Sequence, residues 1–249
     1  MERAEWLKQM RDKAEGLYDL GSSEYWVNWG LDMEATHQEY LRKLLGRVAP
    51  HSRLLSAACG AGRYDGMLLE AGHSVVGIDQ SAGMLAKARE HFPEARYEEL
   101  GLQEMAFREE FDGATCIDAL EHICPEDWPV ILRGFQAALK PGGVLYFTVD
   151  RRDAEEPDEL RTAYERAKAQ GLPVVYGEVA DQVDELYERA KTLGLSALPG
   201  ELADFSVYHY CPSLEQVRAW LDQAGFMVEE EGPGKWYEHF VVRKRVGVM

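Results

Sequence analysis

The stretch LLSAACGAGRYDGMLLEAGHSVVGID, residues 54–79, constrains this chain more than any other part of it. An apolar run from Leu54 to Ala58 empties into Cys59-Gly60-Ala61-Gly62, and a helical pattern begins at once. A second apolar run, SVVGID, ends on Asp79, 21 positions after Ala58. Glycines between a strand and a helix let backbone approach a ligand closely and leave helix-end N–H groups facing it. An acidic residue ending the next strand can accept the hydroxyls of a ribose. Loop, helix and strand-ending acid in this register point to a nucleoside-bearing ligand at the carboxyl ends of two parallel strands.

The chain around that stretch alternates in the same way. Residues 53–58, 74–79, 95–100, 111–118 and 144–150 read as strands, and 63–72, 81–91 and 125–139 as helices between them. Val130, Ile131, Phe135, Ala138 and Leu139 give the last of these an inward face, and Pro141-Gly142-Gly143 turns the chain into the fifth strand. Alternation of this kind argues for right-handed crossovers and a parallel sheet. Upstream, residues 2–19 form an amphipathic helix with Trp6, Met10, Leu17 and Leu20 on its stripe, the polar break GSSEYWVNWG follows, and 32–48 form a second helix. After the fifth strand the pattern breaks into an acidic, helix-rich segment, 151–205, containing the similar pieces AYERAKAQGL and LYERAKTLGL. Two copies fall short of a solenoid. A helix at 213–224 and a closing strand pair, GFMVEEE and WYEHFVVRK, complete the chain. The expected organisation is a helical cap at 1–50, a core made of 51–150 with 206–249, and an inserted helical lid at 151–205.

Charge excludes several classes of partner. Lys and Arg number 27 against 44 Asp and Glu, a net charge of −17, so the basic footprint of a nucleic-acid binder is missing. The same balance argues against anionic membrane, and no apolar run reaches the roughly 20 residues that span a bilayer. The charged N-terminus lacks the apolar core of a secretory signal. Cys59, Cys116, Cys124 and Cys211 show no paired metal spacing, so the reading is reduced thiols, a cytoplasmic location and no metal site. Cys59 and Cys116 read as small core residues.

Two nucleoside cofactors compete for the loop. The dinucleotide fingerprint G-x-G-x-x-G needs a third glycine where the chain has Asp65, which would place a carboxylate near the pyrophosphate. S-adenosylmethionine carries a ribose and no phosphate. At this point the sequence resembles the class I S-adenosylmethionine-dependent methyltransferases, and within them the small-molecule enzymes of quinone biosynthesis. The resemblance covers about residues 50–150 and, more weakly, 213–245. It rests on SAACGAG, VVGIDQSAGML, FDGATCIDALEHI and above all LKPGGVLYFTV. It implies a doubly wound, Rossmann-like α/β fold with a seven-stranded sheet whose last strand is antiparallel, an N-terminal helical cap and a helical insertion after the fifth strand. It also implies methyl transfer from S-adenosylmethionine, leaving S-adenosylhomocysteine, to a small-molecule acceptor.

The resemblance assigns roles residue by residue. Backbone at Ala58, Gly60 and Gly62 passes the methionyl part of the cofactor, and Asp79 takes the ribose hydroxyls. Gln80 and Met84 flank the adenine, with Leu102 and Gln103 on its other side. Asp118, Ala119 and Leu120 leave the fourth strand beside the methyl group. Two positions depart from the family pattern. Its first acidic residue is Ser56 here, a neutral acceptor for the cofactor ammonium. Its adenine-binding Asp is Gly101 here, with Gln103 or Glu99 as substitutes. Tyr25 is expected at the cofactor carboxylate, with Arg63 as the alternative. The aromatic cluster Tyr18, Tyr25, Trp26 and Trp29 reads either as cap packing or as a lid, since aromatic faces attract a sulfonium cation. Trp26 and Trp29 are the substrate candidates there.

His122, in an LEH segment like that of the quinone O-methyltransferases, is a candidate general base because its ordinary pKa lies near neutrality. The alternative is a helix-end histidine bonded to backbone. In Tyr208-His209-Tyr210, where the chain re-enters the core, the two tyrosines are candidate substrate contacts and His209 a second candidate base, with packing as the alternative. Trp236-Tyr237-Glu238-His239 reads as a structural strand. Beside the enzyme reading stand a non-catalytic S-adenosylmethionine-binding protein on a decayed core and a nicotinamide-dependent oxidoreductase. The acceptor and the oligomeric state are not written in the sequence.

Overall fold

Strands β1 (Arg53–Ala57), β2 (Ser74–Asp79), β3 (Arg96–Glu99), β4 (Phe111–Cys116) and β5 (Leu139–Asp150) run parallel in a computed structural model of the chain. With β8 (Phe226–Pro233) and β9 (Tyr237–Lys244) they make a seven-stranded sheet of order β3-β2-β1-β4-β5-β9-β8. β9 is antiparallel to β5, and β8 to β9. A separate hairpin pairs β6 (Glu201–Asp204) with β7 (Val207–Tyr210). Residues 2–26, 30, 33–151, 192, 201–204 and 207–246 are the described part of the structure. Among them no helix is long and apolar enough to cross a membrane.

Successive side chains of a strand point to opposite faces, and here they feed two separate cores. Leu55, Ala57, Leu145 and Phe147 join Phe135, Trp128 and Trp6 on one face, while Leu54, Val144 and Tyr146 join Tyr40, Leu41 and Leu44 on the other. Helix α5 (Trp128–Ala138) and helix α6 (Leu214–Gln223) cover the first face, and α2 (Ala35–Leu45) and α3 (Asp65–Glu70) the second. The order reverses direction between β1 and β4, which opens the crevice where ligands of such sheets bind. Ser81 caps helix α4 (Ala82–His91) by accepting from the Met84 N–H at 3.1 Å, and Ser213 caps α6 by accepting from the Gln216 N–H at 3.2 Å.

Several expectations change. Helix α1 runs Arg3–Tyr25, through the expected polar break, because Leu17 and Gly21 continue the stripe begun by Trp6, Met10 and Ala14. Leu20 falls off that stripe and is exposed, and so is Val130 on α5. β5 starts at Leu139, ahead of the Pro-Gly-Gly turn, since Leu139 already pairs with Phe111 across a bulge. Cys116 is buried as expected, whereas Cys59 lies half-buried in the loop. Most of the expected lid at 151–205 lies outside the described residues, as do the repeated decapeptides apart from residue 192; its end, Glu201–Asp204, is strand rather than helix.

Helix α1 is tied to the core beside the crevice. Asp19 accepts from the Ser81 hydroxyl and from the Gly83 N–H (2.9 Å), so it caps α4 from another element. Capping bonds of this type contribute about 1 kcal/mol each. Asp19→Ala should lower stability in urea by roughly 1–2 kcal/mol and make α1 the first site of limited proteolysis. An unchanged digestion pattern would show that Asp19 does not hold α1 down.

Candidate active site

The loop after β1 is held in a conformation few residues adopt. Ala58, Gly60 and Gly62 have φ of 50°, 52° and 81°, the left-handed region that favours glycine and strains alanine. The end of β2 holds it there. The Cys59 N–H donates to the Ile78 carbonyl at 3.0 Å, and the Gly60 N–H donates to Asp79 Oδ2 at 2.9 Å. The other carboxylate oxygen of Asp79 accepts from the Ser81 N–H at 2.9 Å. Burial pushes the Asp79 pKa up, against these backbone bonds. The space over Gly60 is open: a Cβ placed there would meet nothing nearer than Met84 Cε at 4.0 Å. Gly62 differs, since its Cβ would come within 3.0 Å of Phe92.

The expected cofactor residues gather around this loop unequally. Ser56, Ala58, Gly60, Arg63, Tyr25 and Asp118 line one narrow pocket of about 40 Å³. Tyr25 and Arg63, the two candidates for one role, are therefore both present. Met84 is buried beside Gly60, Leu102 packs into the core on the α5 face, and Leu100 donates its N–H to the Asp79 carbonyl. Gln80 is half-buried beside Asp79. Of the two substitutes for an acid at 101, Gln103 donates to Asp127 at 3.1 Å. The Gly101 N–H is taken by Glu104 at 3.2 Å. Ala119 and Leu120 point into the core.

Asp118 is the hub of the opposite wall, in a way the sequence did not show. Its φ of 52° turns it out of the β4 line, and its N–H donates to Thr148 Oγ1 at 2.8 Å. Its carboxylate meets His37 Nε2 at 2.9 Å, the Tyr64 hydroxyl at 2.7 Å and Arg63 Nη1 at 3.2 Å. Burial pushes its pKa up, but the bond and field of His37, the Tyr64 bond and the Arg63 charge together hold it below the ordinary value. Three residues on, Glu121 has the opposite fate. It is buried, accepts from the Tyr237 hydroxyl at 3.1 Å on Oε1, and leaves Oε2 without a hydrogen-bond partner. Burial first, then Asp118 and Asp150, push its pKa up to about 8. His239, expected to be structural, is fully buried against Tyr146 (2.9 Å), and burial with His37 lowers its pKa to about 4.

The candidate bases and substrate contacts are mostly committed elsewhere. His122 Nδ1 lies 3.2 Å from the Tyr208 carbonyl, which can only accept, so that nitrogen carries the proton. Nε2 then accepts from the Tyr18 hydroxyl at 2.8 Å. Both ring nitrogens are engaged in fixing β7 to α1, the packing role that stood as the alternative to a base. His209 is buried with its ring 4.6 Å from that of His122. Tyr208 packs edge-on to Trp6 and donates to Glu201 at 2.7 Å, and Tyr210 is buried near Trp220. Trp26 stacks on His91 at 3.7 Å and is not among the pocket residues. Trp29 lies outside the described residues. Asp19, His37, Tyr64 and Glu121 are the site-building residues that sequence reasoning missed. Their signal was weak: Asp19 and His37 stand outside any motif, and Tyr64 and Glu121, though inside the 54–79 stretch and the LEH segment, are held by partners from other elements.

Comparison with known proteins places this geometry. Residues 54–143 match the family described as "Methyltransferase domain". A ubiquinone biosynthesis O-methyltransferase of Alkalilimnicola ehrlichii is 28% identical over 156 residues, covering 58% of this chain and 62% of the relative. An uncharacterized methyltransferase of Synechocystis is 33% identical over 113 residues, 45% of this chain and 52% of the relative. The chain thus spans about half to three fifths of the length of these curated relatives. A Burkholderia thailandensis 1,6-didemethyltoxoflavin-N1-methyltransferase, solved with 1,6-didemethyltoxoflavin and S-adenosylhomocysteine, shares the fold at TM-score 0.66 and 18% identity, covering 96% of this chain and 90% of its own. Residues 54–143 carry a methyltransferase domain, and the chain is similar in sequence and fold to S-adenosylmethionine-dependent methyltransferases.

The buried Glu121 makes a prediction about pH. Its folded pKa near 8 stands above the ordinary 4.5, so the folded state holds a proton that the unfolded state has lost between those values. That contribution is fully felt as lost stability once the pH passes 8. Glu121→Gln keeps the shape without the proton. Relative to wild type it should gain stability steadily from pH 5 to pH 9, by at most about 4–5 kcal/mol. Urea titrations at both ends measure the gain; equal differences at pH 5 and pH 9 would show that Glu121 ionises normally.

Proposed function

We propose that this chain binds S-adenosylmethionine at the β1 loop and moves its methyl group to a small-molecule acceptor held above β4 and β5. The observation that carries the reading is Gly60, whose Cβ position faces open space while its N–H is tied to the strand-ending Asp79. Such a cradle accepts a ligand lying directly on backbone. Bound S-adenosylmethionine supplies a methyl group already activated by a sulfonium for in-line displacement. What remains for the protein is orientation and exclusion of water.

This chain's residues divide that work. Asp79, its carboxylate fixed by the Gly60 and Ser81 N–H groups, stands at the end of β2 to accept from the ribose hydroxyls. Met84 and Leu102 offer apolar walls to the adenine. Ser56 and Tyr25 or Arg63 face the amino-acid end from the pocket. On the acceptor side, Asp118 is held as a carboxylate and Glu121 as a neutral carboxyl with one unpartnered oxygen. A pair of acids pushed to opposite protonation states can accept and donate within one site. The small-molecule class of acceptor is supported by the two relatives named for an O- and an N1-methylation.

Calorimetry with S-adenosylhomocysteine tests the cofactor part. Asp79→Ala should weaken binding at least tenfold, since a hydrogen bond to a charged group contributes about 1.5–3 kcal/mol. Gly60→Val should abolish binding while circular dichroism keeps its wild-type helix and strand signal. Wild-type protein that binds S-adenosylhomocysteine but turns over no acceptor in a broad methylation screen would support the non-catalytic alternative instead.

A further inference from the structure

Asp65 opens α3 directly behind the glycine loop and is fully buried. Burial pushes its carboxyl up to about 6, while Ser56 and Tyr97 draw it back down. The Tyr97 hydroxyl donates to Oδ2 at 2.9 Å, and Oδ1 has no hydrogen-bond partner. Holding the loop would need only the Tyr97 bond, which a neutral amide could also accept. A buried acid with an unsatisfied oxygen calls for a further reason. The second polar neighbour of that carboxyl is the Ser56 hydroxyl, and Ser56 lines the pocket. Position 56 carries no charge of its own, so this part of the pocket wall is a neutral hydroxyl backed by a carboxylate.

We propose that Asp65 is a positioning residue for the ammonium group of the cofactor's amino-acid end, acting through Ser56. In this arrangement the Ser56 hydroxyl turns to donate to the open Oδ1 of Asp65, which directs the serine oxygen lone pairs toward the pocket. There they accept from an ammonium, and the negative charge behind them strengthens the bond in a site shielded from water. A negative charge placed one residue behind the wall does the work of an acid in the wall. This inference rests on the cofactor reading above and extends it to one end of the ligand.

Two ligands separate the role from the reading it rests on. S-adenosylhomocysteine carries the amino-acid end, and 5′-methylthioadenosine is a nucleoside thioether without it. By calorimetry, Asp65→Asn should weaken S-adenosylhomocysteine at least tenfold and leave 5′-methylthioadenosine within threefold. Ser56→Ala should show the same selective loss, and it reports on the proposal if the Asp65 variant folds poorly. Returning the acid to the wall, Ser56→Asp with Asp65→Asn, should recover most of the lost affinity. Wild-type affinity for S-adenosylhomocysteine should fall as pH drops from 7.5 to 5, more steeply than in Asp65→Asn. The titratable groups facing Asp65 are Cys59 of the loop and Tyr97 of β3, both pushed upward by burial and uncharged over that range. Asp79 is common to both proteins and cancels in the comparison. Tyr97→Phe, which removes the loop bond alone, should change both ligands alike. Equal loss of both ligands in Asp65→Asn, or loss of neither, would overturn the role while leaving the cofactor reading standing. Wild-type protein that binds neither ligand would overturn both.

Discussion

The bond from the Gly60 N–H to Asp79 Oδ2 sets the geometry of the whole carboxyl edge. It joins the loop after β1 to the end of β2, two strands that already share a parallel register from Arg53↔Ser74 to Ala57↔Ile78. With the Cys59 N–H on the Ile78 carbonyl, it leaves the loop no freedom to relax out of its left-handed turns. Backbone strain of this kind persists only where the surroundings over-determine it. The same carboxylate fixes the Ser81 N–H, Ser81 caps α4, and Asp19 reaches that cap from α1. One acidic side chain thereby links two strands, one helix and the N-terminal cap.

The second half of the site is organised by unequal treatment of like charges. Asp118 and Asp150 lie close enough to Glu121 to add to the effect of burial and push its pKa up, since like charges gathered in one site disfavour a further ionisation. The structure settles the contest with hydrogen-bond donors. His37, Tyr64 and Arg63 converge on Asp118, while Glu121 receives a single bond from Tyr237 and keeps its proton. Arg63 is the link between the halves, since it stands in the loop pocket and contacts Asp118 across it. A ligand that draws Arg63 away would remove one of the forces holding Asp118 ionised, so the two halves are electrically coupled.

What was legible in the sequence was what depends on neighbours in the chain. The strand–loop–helix–strand unit, the acid at 79 and the fifth-strand turn each rest on a few consecutive residues, and the parallel sheet follows from their alternation. The limits of α1 were misread because Gly21 continues a buried stripe that a composition-based reading ends at the polar cluster. His122 looked like a base because an isolated imidazole titrates near neutrality. Its commitment to Tyr18 and the Tyr208 carbonyl depends on contacts across 104 and 86 residues. The Asp118 hub was hidden for the same reason: His37 and Tyr64 reach it from 81 and 54 positions away. Long-range side-chain convergence leaves no periodic trace.

Asp65 shows how one residue can carry two arguments. In the sequence it served only to exclude a dinucleotide, because it stands where that fingerprint needs glycine. In the folded chain the same carboxyl is buried behind Ser56 and held near 6 against an ordinary 3.8. Because the raised value belongs to the folded state, the lost stability is absent below the ordinary pKa and complete above 6, at roughly 3 kcal/mol by neutral pH. That is a large fraction of the 5–15 kcal/mol a domain typically has, and the Tyr97 bond alone would be met by an uncharged side chain. Buried groups with shifted pKa values cluster at functional sites. The stability given up at position 65 is the physical reason to look for a cation beyond Ser56, and the pocket that Ser56 lines is where a cation would sit.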